Sequence, residues 1–308
     1  MFESDSLITD ELISWMNSHW AMHMGAVDGH DIRFIASLLQ EAQPTNLVEV
    51  GCASGLSTGA LVMMLKELGN TAKLNSFDIA TQFYADSSKE LGYLLKQVEQ
   101  GEKVEAAIYP KTTSLDVASV LESKQIDFCF IDANHSQPWP IIDTLAILPH
   151  MKPGSYIVHH DLKMYHDPRK DEFATGPKTV LDQTPNDLCV WFDMRVNTAN
   201  ETGLVTRGIV GNIFAIKVPE NTEGLVWSLA QGLYLPWDPI FNTYIEPAMA
   251  KRIEHFFSEE YSPAVSEAFE ISKLRYNDEI GRKFDLLPNG NSSLPTKIAR
   301  RAAALLSR

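Results

Sequence analysis

What the 308-residue chain lacks narrows the field before anything it contains. No apolar run approaches the ~20 residues that cross a bilayer; runs such as 60–65 (ALVMML) and 156–158 stop far short, so no membrane span is expected. The opening MFESDSLITDELISW carries acids where a secretory leader has a basic and then an apolar region, which points to a cytoplasmic protein. Cysteine is scarce. Cys52, Cys129 and Cys189 lie in or beside apolar strand-like segments without CxxC spacing and read as buried reduced thiols, not as a disulfide framework or zinc site. Cations are outnumbered, 26 Lys and Arg against 40 Asp and Glu, for a net charge of −14. Nucleic-acid binding rests largely on cations that neutralise phosphates, so no nucleic-acid partner is expected. The one basic stretch, 297–308 (KIARRAAALLSR), is amphipathic and reads as a solvated or oligomer-packing helix before a membrane-surface one, leaving a homo-oligomer open.

What is present alternates. Residues 1–43 form a helical cap by their spacing (Leu7, Leu12, Trp15, Met16, then Ile32, Ile35, Leu38, Leu39), and Pro44 ends it. From 44 to 218 short β-rich runs at 47–50, 73–79, 104–110, 126–132 and 155–161 are separated by helical patterns at about 57–68, 87–99, 115–123 and 138–148. That rhythm predicts a doubly wound α/β core, a mostly parallel, Rossmann-like sheet with helices on both faces. Two further runs, 187–196 and 208–218, flank the polar connector 197–207 with no helix between them and read as an antiparallel edge pair, making seven strands. Residues 219–308 form a helical extension carrying Trp227, Trp237, Tyr244, Phe256, Phe257 and Tyr261.

A ligand crevice in such a sheet opens outside the carboxyl ends of the strands, where the winding reverses. There, in VEVGCASGLSTGALVMML, Gly51 and Gly55 follow an apolar strand and a helix opens directly after them, so a ligand can approach bare backbone. The pyrophosphate fingerprint G-x-G-x-x-G is missing; the turn reads Gly51, Cys52, Ala53, Ser54, Gly55. Glu49, Asp78 and Asp132 all end strands on that rim, an acidic setting that suits S-adenosylmethionine, whose net charge is positive, better than a dinucleotide. Asp78 would accept ribose hydroxyls, a role both cofactors allow.

E-V-G-C-A-S-G, then FDI, FIDANH and KPGSYIVHHD, in that order and spacing from about Asn46 to Val218, resemble the class I S-adenosylmethionine-dependent methyltransferases. The likeness is to bacterial small-molecule O-methyltransferases, including the macrolide sugar type, and more distantly to the catechol type. It implies that Glu49, Gly51, Ser54, Gly55 and Ser57 surround the methionine end of the cofactor and Asp78 the ribose. The acceptor would be a hydroxyl on a small molecule or sugar unit.

Transfer to a hydroxyl needs a base or a metal, because the proton must leave as the new bond forms. Asp132 and Asp161 end neighbouring strands and, ~5 Å apart in backbone, would share a proton or a cation. His135 lies three residues beyond Asp132 and is the candidate general base. Asp132, His135 and Asp161 together resemble the macrolide sugar enzymes, in which the likeness makes the two acids ligands of magnesium or a similar divalent ion and the histidine the base. The catechol type has an asparagine after its second acid; this chain has Leu162, so a third protein ligand is unassigned. Asp132 as a helix cap and Asp161 as a loop residue are the bland alternatives. His159 is read as structural, His160 is undecided, and Trp15, Trp20, His23 and Trp139 are unassigned. Three other readings stay open: metal-independent N- or O-methylation, a nicotinamide-dependent oxidoreductase, and a non-catalytic binding protein on the same fold.

Overall fold

The short apolar runs become strands, and their alternation sorts side chains onto the two faces of one sheet. The computed structural model describes residues 6–20, 27–98, 103–121, 125–162, 174–191 and 212–286. The strands are β1 (Asn46–Val50), β2 (Ala72–Asp78), β3 (Val104–Pro110), β4 (Ile126–Ile131), β5 (Met151–His159), β6 (Cys189–Trp191) and β7 (Phe214–Lys217). They form a single sheet ordered β3-β2-β1-β4-β5-β7-β6. All neighbours from β3 to β5 run parallel, and β7 lies antiparallel between β5 and β6. The doubly wound sheet with an antiparallel edge pair is thus as expected. The winding reverses between β1 and β4.

Leu47, Phe128, Phe130, Tyr156 and Val158 face one apolar layer, while Val48, Val50, Cys129, Ile131 and Ile157 face the other. The first layer is closed by α1 (Asp10–Trp20), α2 (Gly29–Ala42) and α3 (Leu56–Leu68). The second is closed by α4 (Val117–Leu121), α5 (Trp139–Ile147), α6 (Gly176–Gln183) and the helices α7 (Glu223–Leu233), α8 (Pro247–Glu260) and α9 (Pro263–Ser272). A π-helical turn, Lys273–Asn277, leads into α10 (Asp278–Lys283). Phe128, Phe130, Phe214, Phe257 and Phe269 are fully buried, each contributing roughly 1.5–3 kcal/mol by leaving water. Leu225, Leu229, Ile253 and Phe269 share one continuous cluster with Val48 and Ile131, so the extension joins the core on this side of the sheet, with α7 packing on α5 and α6.

One expected helix is absent. Residues 87–98 form turns and a single 3-10 turn at Leu95–Gln97, because this backbone is engaged elsewhere. Gly92 N–H donates to Ala53 O (2.9 Å) and Leu94 N–H to Ser54 O (3.0 Å), while Gln82 and Glu90 form an antiparallel bridge. The helix expected at 115–123 begins as a 3-10 turn at Ser114–Asp116 and runs into α4; residues 122–124 lie outside the described residues. The connector 197–207, His23, the side chain of Trp20 and the 297–308 stretch lie outside the described residues. Among the described residues no helix is long and apolar enough to cross a membrane.

Candidate active site

The carboxyl ends of β1, β2 and β4 border a cavity of about 730 Å³. Its floor begins at the turn after β1, where the chain must bend sharply between a strand and α3. Gly51 sits at φ 97 and Gly55 at φ 85, in the left-handed region that costs glycine least. Their neighbours tighten the requirement: a Cβ on Gly51 would stand 2.2 Å from the carbonyl oxygen of Asp132, and one on Gly55 2.9 Å from Cα of Gly92. The glycines therefore serve backbone packing against β4 and the 87–98 segment, beyond the ligand approach read from sequence. Ala53, between them, also adopts a positive φ (47°).

Asp78 holds this turn. Its Oδ2 accepts from the backbone N–H of Cys52 (2.9 Å) and Ala53 (3.0 Å), and Oδ1 from Ala80 (2.8 Å). It also lines the cavity, as do Gly51, Ser54 and Ser57. Glu49 does not. Alternation along β1 aims it with Leu47 toward α3, where it is 0% exposed and accepts from the hydroxyls of Ser57 (2.6 Å), Thr58 (2.6 Å) and Ser76 (2.5 Å). Burial pushes its carboxyl up to about 7 although all three hydroxyls act the other way. Glu49, expected around the methionine end of the cofactor, thus lies beneath Ser57 instead of in the cavity wall.

Beside this turn the chain past β4 and β5 brings Asp132, His135 and Asp161 together on the cavity wall. Their ligand atoms lie within 4.8 Å of one another. Nε2 of His135 is 3.1 Å from Oδ1 of Asp132 and 3.5 Å from Oδ2 of Asp161. Asp161 has φ 57, left-handed backbone that aspartate tolerates better than most residues, and Asn212 Nδ2 donates to its Oδ1 (3.0 Å). Burial would raise the Asp132 carboxyl, yet the positive fields of His160 and His135 and their hydrogen bonds hold it well below the usual carboxylate range. Burial opposes protonation of His135; the Asp132 hydrogen bond and the charges of Asp161 and Asp132 outweigh it and raise the imidazole.

The loop carrying His135 is fastened from several sides. Asn134 Nδ2 (2.8 Å) and Trp139 Nε1 (3.1 Å) both donate to Asn242 O. Gly176 N–H donates to His135 O (2.9 Å), and a Cβ on Gly176 would lie 2.6 Å from that same oxygen. Buried Asp238 accepts from Gln137 N (2.8 Å), Thr175 N (2.9 Å) and Thr175 Oγ1 (2.7 Å). These partners come from 232–242 and 174–176, and only the folded chain shows their nearness to His135.

The two histidines ending β5 diverge. His159 stacks on Phe214 at 5.3 Å and meets Thr144 Oγ1 at 3.0 Å in the core, where burial pulls it down to about 3. His160 turns to the acids: Nδ1 is 3.2 Å from Asp132 Oδ1, Nε2 is 2.9 Å from Asp31 Oδ2, and their charges with that of Asp161 raise it well above its ordinary value against burial. Trp139 lines the cavity, whereas Trp15 packs against α3 at Gly59. Asp143, whose carboxyl burial raises to about 6, lines the cavity beside Ser114, which donates to it at 2.6 Å. Neither Asp31 nor Asp143 stands out in the sequence, since no motif spacing marks either.

Residues 48–162 match the family described as a methyltransferase domain, a span running from β1 through Asp161. No curated protein matches the chain. Solved structures similar to it include an O-methyltransferase from Bacillus cereus in complex with SAH (18% identity, 69% of this chain and 90% of that one, TM-score 0.42). Two others are a cofactor-bound Rv0187 from MTB (16%, 69% and 92%, TM-score 0.49) and the O-methyltransferase TomG from Streptomyces achromogenes in complex with SAM (18%, 68% and 90%, TM-score 0.45).

Proposed function

We propose that this chain, whose residues 48–162 match a methyltransferase domain, is a class I, S-adenosylmethionine-dependent enzyme that methylates a hydroxyl of a small molecule or sugar unit, with His135 as general base and a divalent cation such as magnesium held by Asp132 and Asp161. One observation carries the reading: Asp132, His135 and Asp161 converge within 4.8 Å beside the cavity that begins at the glycine turn.

The donor set fits a hard cation. The carboxylate oxygens of Asp132 and Asp161 suit magnesium or manganese and leave His135 Nε2 for the acceptor's proton; Asp161 Oδ1 is engaged by Asn212 while Oδ2 faces His135. A cation bound there would lower the pKa of an acceptor hydroxyl and orient it. S-adenosylmethionine, when bound, supplies the methyl: the acceptor oxygen–carbon bond forms as the carbon–sulfur bond breaks, leaving S-adenosylhomocysteine. Gly51 and Ser54 would take the methionine end, with Ser57 beside them, Gly55 closing the turn against Gly92 and Glu49 bracing Ser57 from below; Asp78 would meet the ribose while holding the turn. His135 Nε2 receives the acceptor's proton, and Asp132 beside it stabilises the imidazolium that results.

A second reading, metal-independent transfer, is supported by His160, whose ring already sets positive charge against both acids. The test separates them. S-adenosylhomocysteine binding is measured by calorimetry, and methyl transfer from labelled S-adenosylmethionine to a panel of small hydroxyl acceptors is measured with Mg²⁺ and with excess chelator. Transfer that chelator abolishes and Mg²⁺ restores is the expected result. Full activity in chelator would overturn the metal, and absence of cofactor binding would overturn the function.

A further inference from the structure

The helical spacing of α2 gives it no role beyond covering the sheet, yet its first turn reaches the acids. His160 is 1% exposed and its two nitrogens face opposite ways. Nε2 lies 2.9 Å from Asp31 Oδ2; Nδ1 lies 3.2 Å from Asp132 Oδ1 and 3.7 Å from Asp161 Oδ1. Asp31, 2% exposed, is itself fixed, because the same Oδ2 accepts the backbone N–H of Asp28 at 2.9 Å within the capping box that starts α2. The ring of Phe130 packs beside the imidazole with centroids 6.2 Å apart.

We infer that Asp31 is a positioning residue that acts through His160 to fix Asp132 and Asp161, making the start of α2 part of the scaffold of the proposed cation site. The inference rests on the reading that those two acids hold a divalent cation. An aspartate carboxylate turns readily about its last bond unless something engages it. Here one imidazole touches both carboxylates, and its far nitrogen is anchored to a helix cap, so the ring cannot rotate without breaking the Asp31 contact. Sequence offers no sign of this link, since Asp31 and His160 stand 129 residues apart.

The test measures Mn²⁺ affinity by water-proton relaxation on the full chain, without acceptor. Wild type is compared with Asp31→Asn, His160→Gln, the double variant and Asp28→Ala, with thermal melting of each. Asp31→Asn is expected to weaken Mn²⁺ binding about 10-fold or more, the usual effect of losing an outer-shell partner. In the His160→Gln background the same substitution is expected to change little, because the route it acts through is gone. Asp28→Ala loosens the same helix cap but leaves the Asp31–His160 contact, and should melt lower with Mn²⁺ affinity unchanged. Wild-type affinity in Asp31→Asn, an equal loss with and without His160, or an equal loss in Asp28→Ala would each overturn the inference. If His160→Gln does not fold, the comparison of Asp31→Asn with Asp28→Ala decides. Failure of wild type to bind Mn²⁺ overturns the metal reading along with this one, whereas wild-type binding with unaffected variants overturns this one alone.

Discussion

Replacing Glu49 by glutamine tests whether a buried acid under the glycine turn makes the protein pH-sensitive. Burial raises this carboxyl from 4.5 to about 7. At roughly 1.4 kcal/mol per pKa unit, the ionised form is disfavoured in the native state by about 3 kcal/mol. The sign follows from proton counting. Below pH ~4.5 both native and unfolded chains hold the proton and Glu49 contributes nothing; between ~4.5 and ~7 the unfolded chain has released it while the native chain keeps it, so stability falls as pH rises; above ~7 the loss is complete. Glutamine has no such term, and its amide can accept from two of the three surrounding hydroxyls while donating to the third. Urea unfolding at fixed pH gives the two stabilities. Relative to wild type, Glu49→Gln should gain about 2–3 kcal/mol between pH 5 and pH 8, since part of the loss has already occurred by pH 5. A difference between the two proteins that stays constant across that range would refute the reasoning.

His135→Ala should lower turnover by about 10²–10⁴-fold while leaving S-adenosylhomocysteine affinity intact, read by single-turnover assay and calorimetry. Asp161→Asn should abolish the Mn²⁺ relaxation signal without changing cofactor affinity. Gly51→Ala should fail to fold or melt far below wild type in a thermal scan, because its Cβ would meet the Asp132 carbonyl at 2.2 Å on backbone with φ 97. Trp139→Phe keeps an aromatic ring but loses the pyrrole half of the indole with its N–H to Asn242, so it should cost at least about 1 kcal/mol in urea unfolding, the net value of one hydrogen bond.

Strand identities were legible because each β run is short, bounded by polar residues and alternates between two buried faces; β3 spans the expected 104–110. The acids past β4 and β5 were legible for the same reason, since a parallel sheet places successive strand ends on one rim. What failed was local reading where tertiary bonds overrode propensity. Residues 87–98 have helical spacing, but Gly92 and Leu94 donate their N–H groups to the turn at Ala53 and Ser54, which a helix would have kept for itself. The resemblance groups Glu49 with the cofactor residues, and the period of β1 sets its side chain beneath Ser57 and Thr58. The supports at Asp31 and Asp238 could not be read at all, because each pairs with residues about 63 to 129 positions away.

The glycine turn and the acid cluster are also mechanically one object. Hydrogen bonding continues past the strand ends: Gly51 N–H donates to Phe77 O (2.8 Å), Asp132 N–H to Val50 O (2.9 Å) and His160 N–H to Ile131 O (3.2 Å). Gly51 then packs its bare Cα against the Asp132 carbonyl, which no other residue would permit. The backbone that would bear the methyl donor is thus laced to the backbone bearing Asp132, and through it to His160 and the strand ending before Asp161. In-line transfer demands that donor and acceptor be held within a few tenths of an ångström along one axis. A sheet whose ladder extends to these groups serves that demand, because any shift of the turn would carry Asp132 with it.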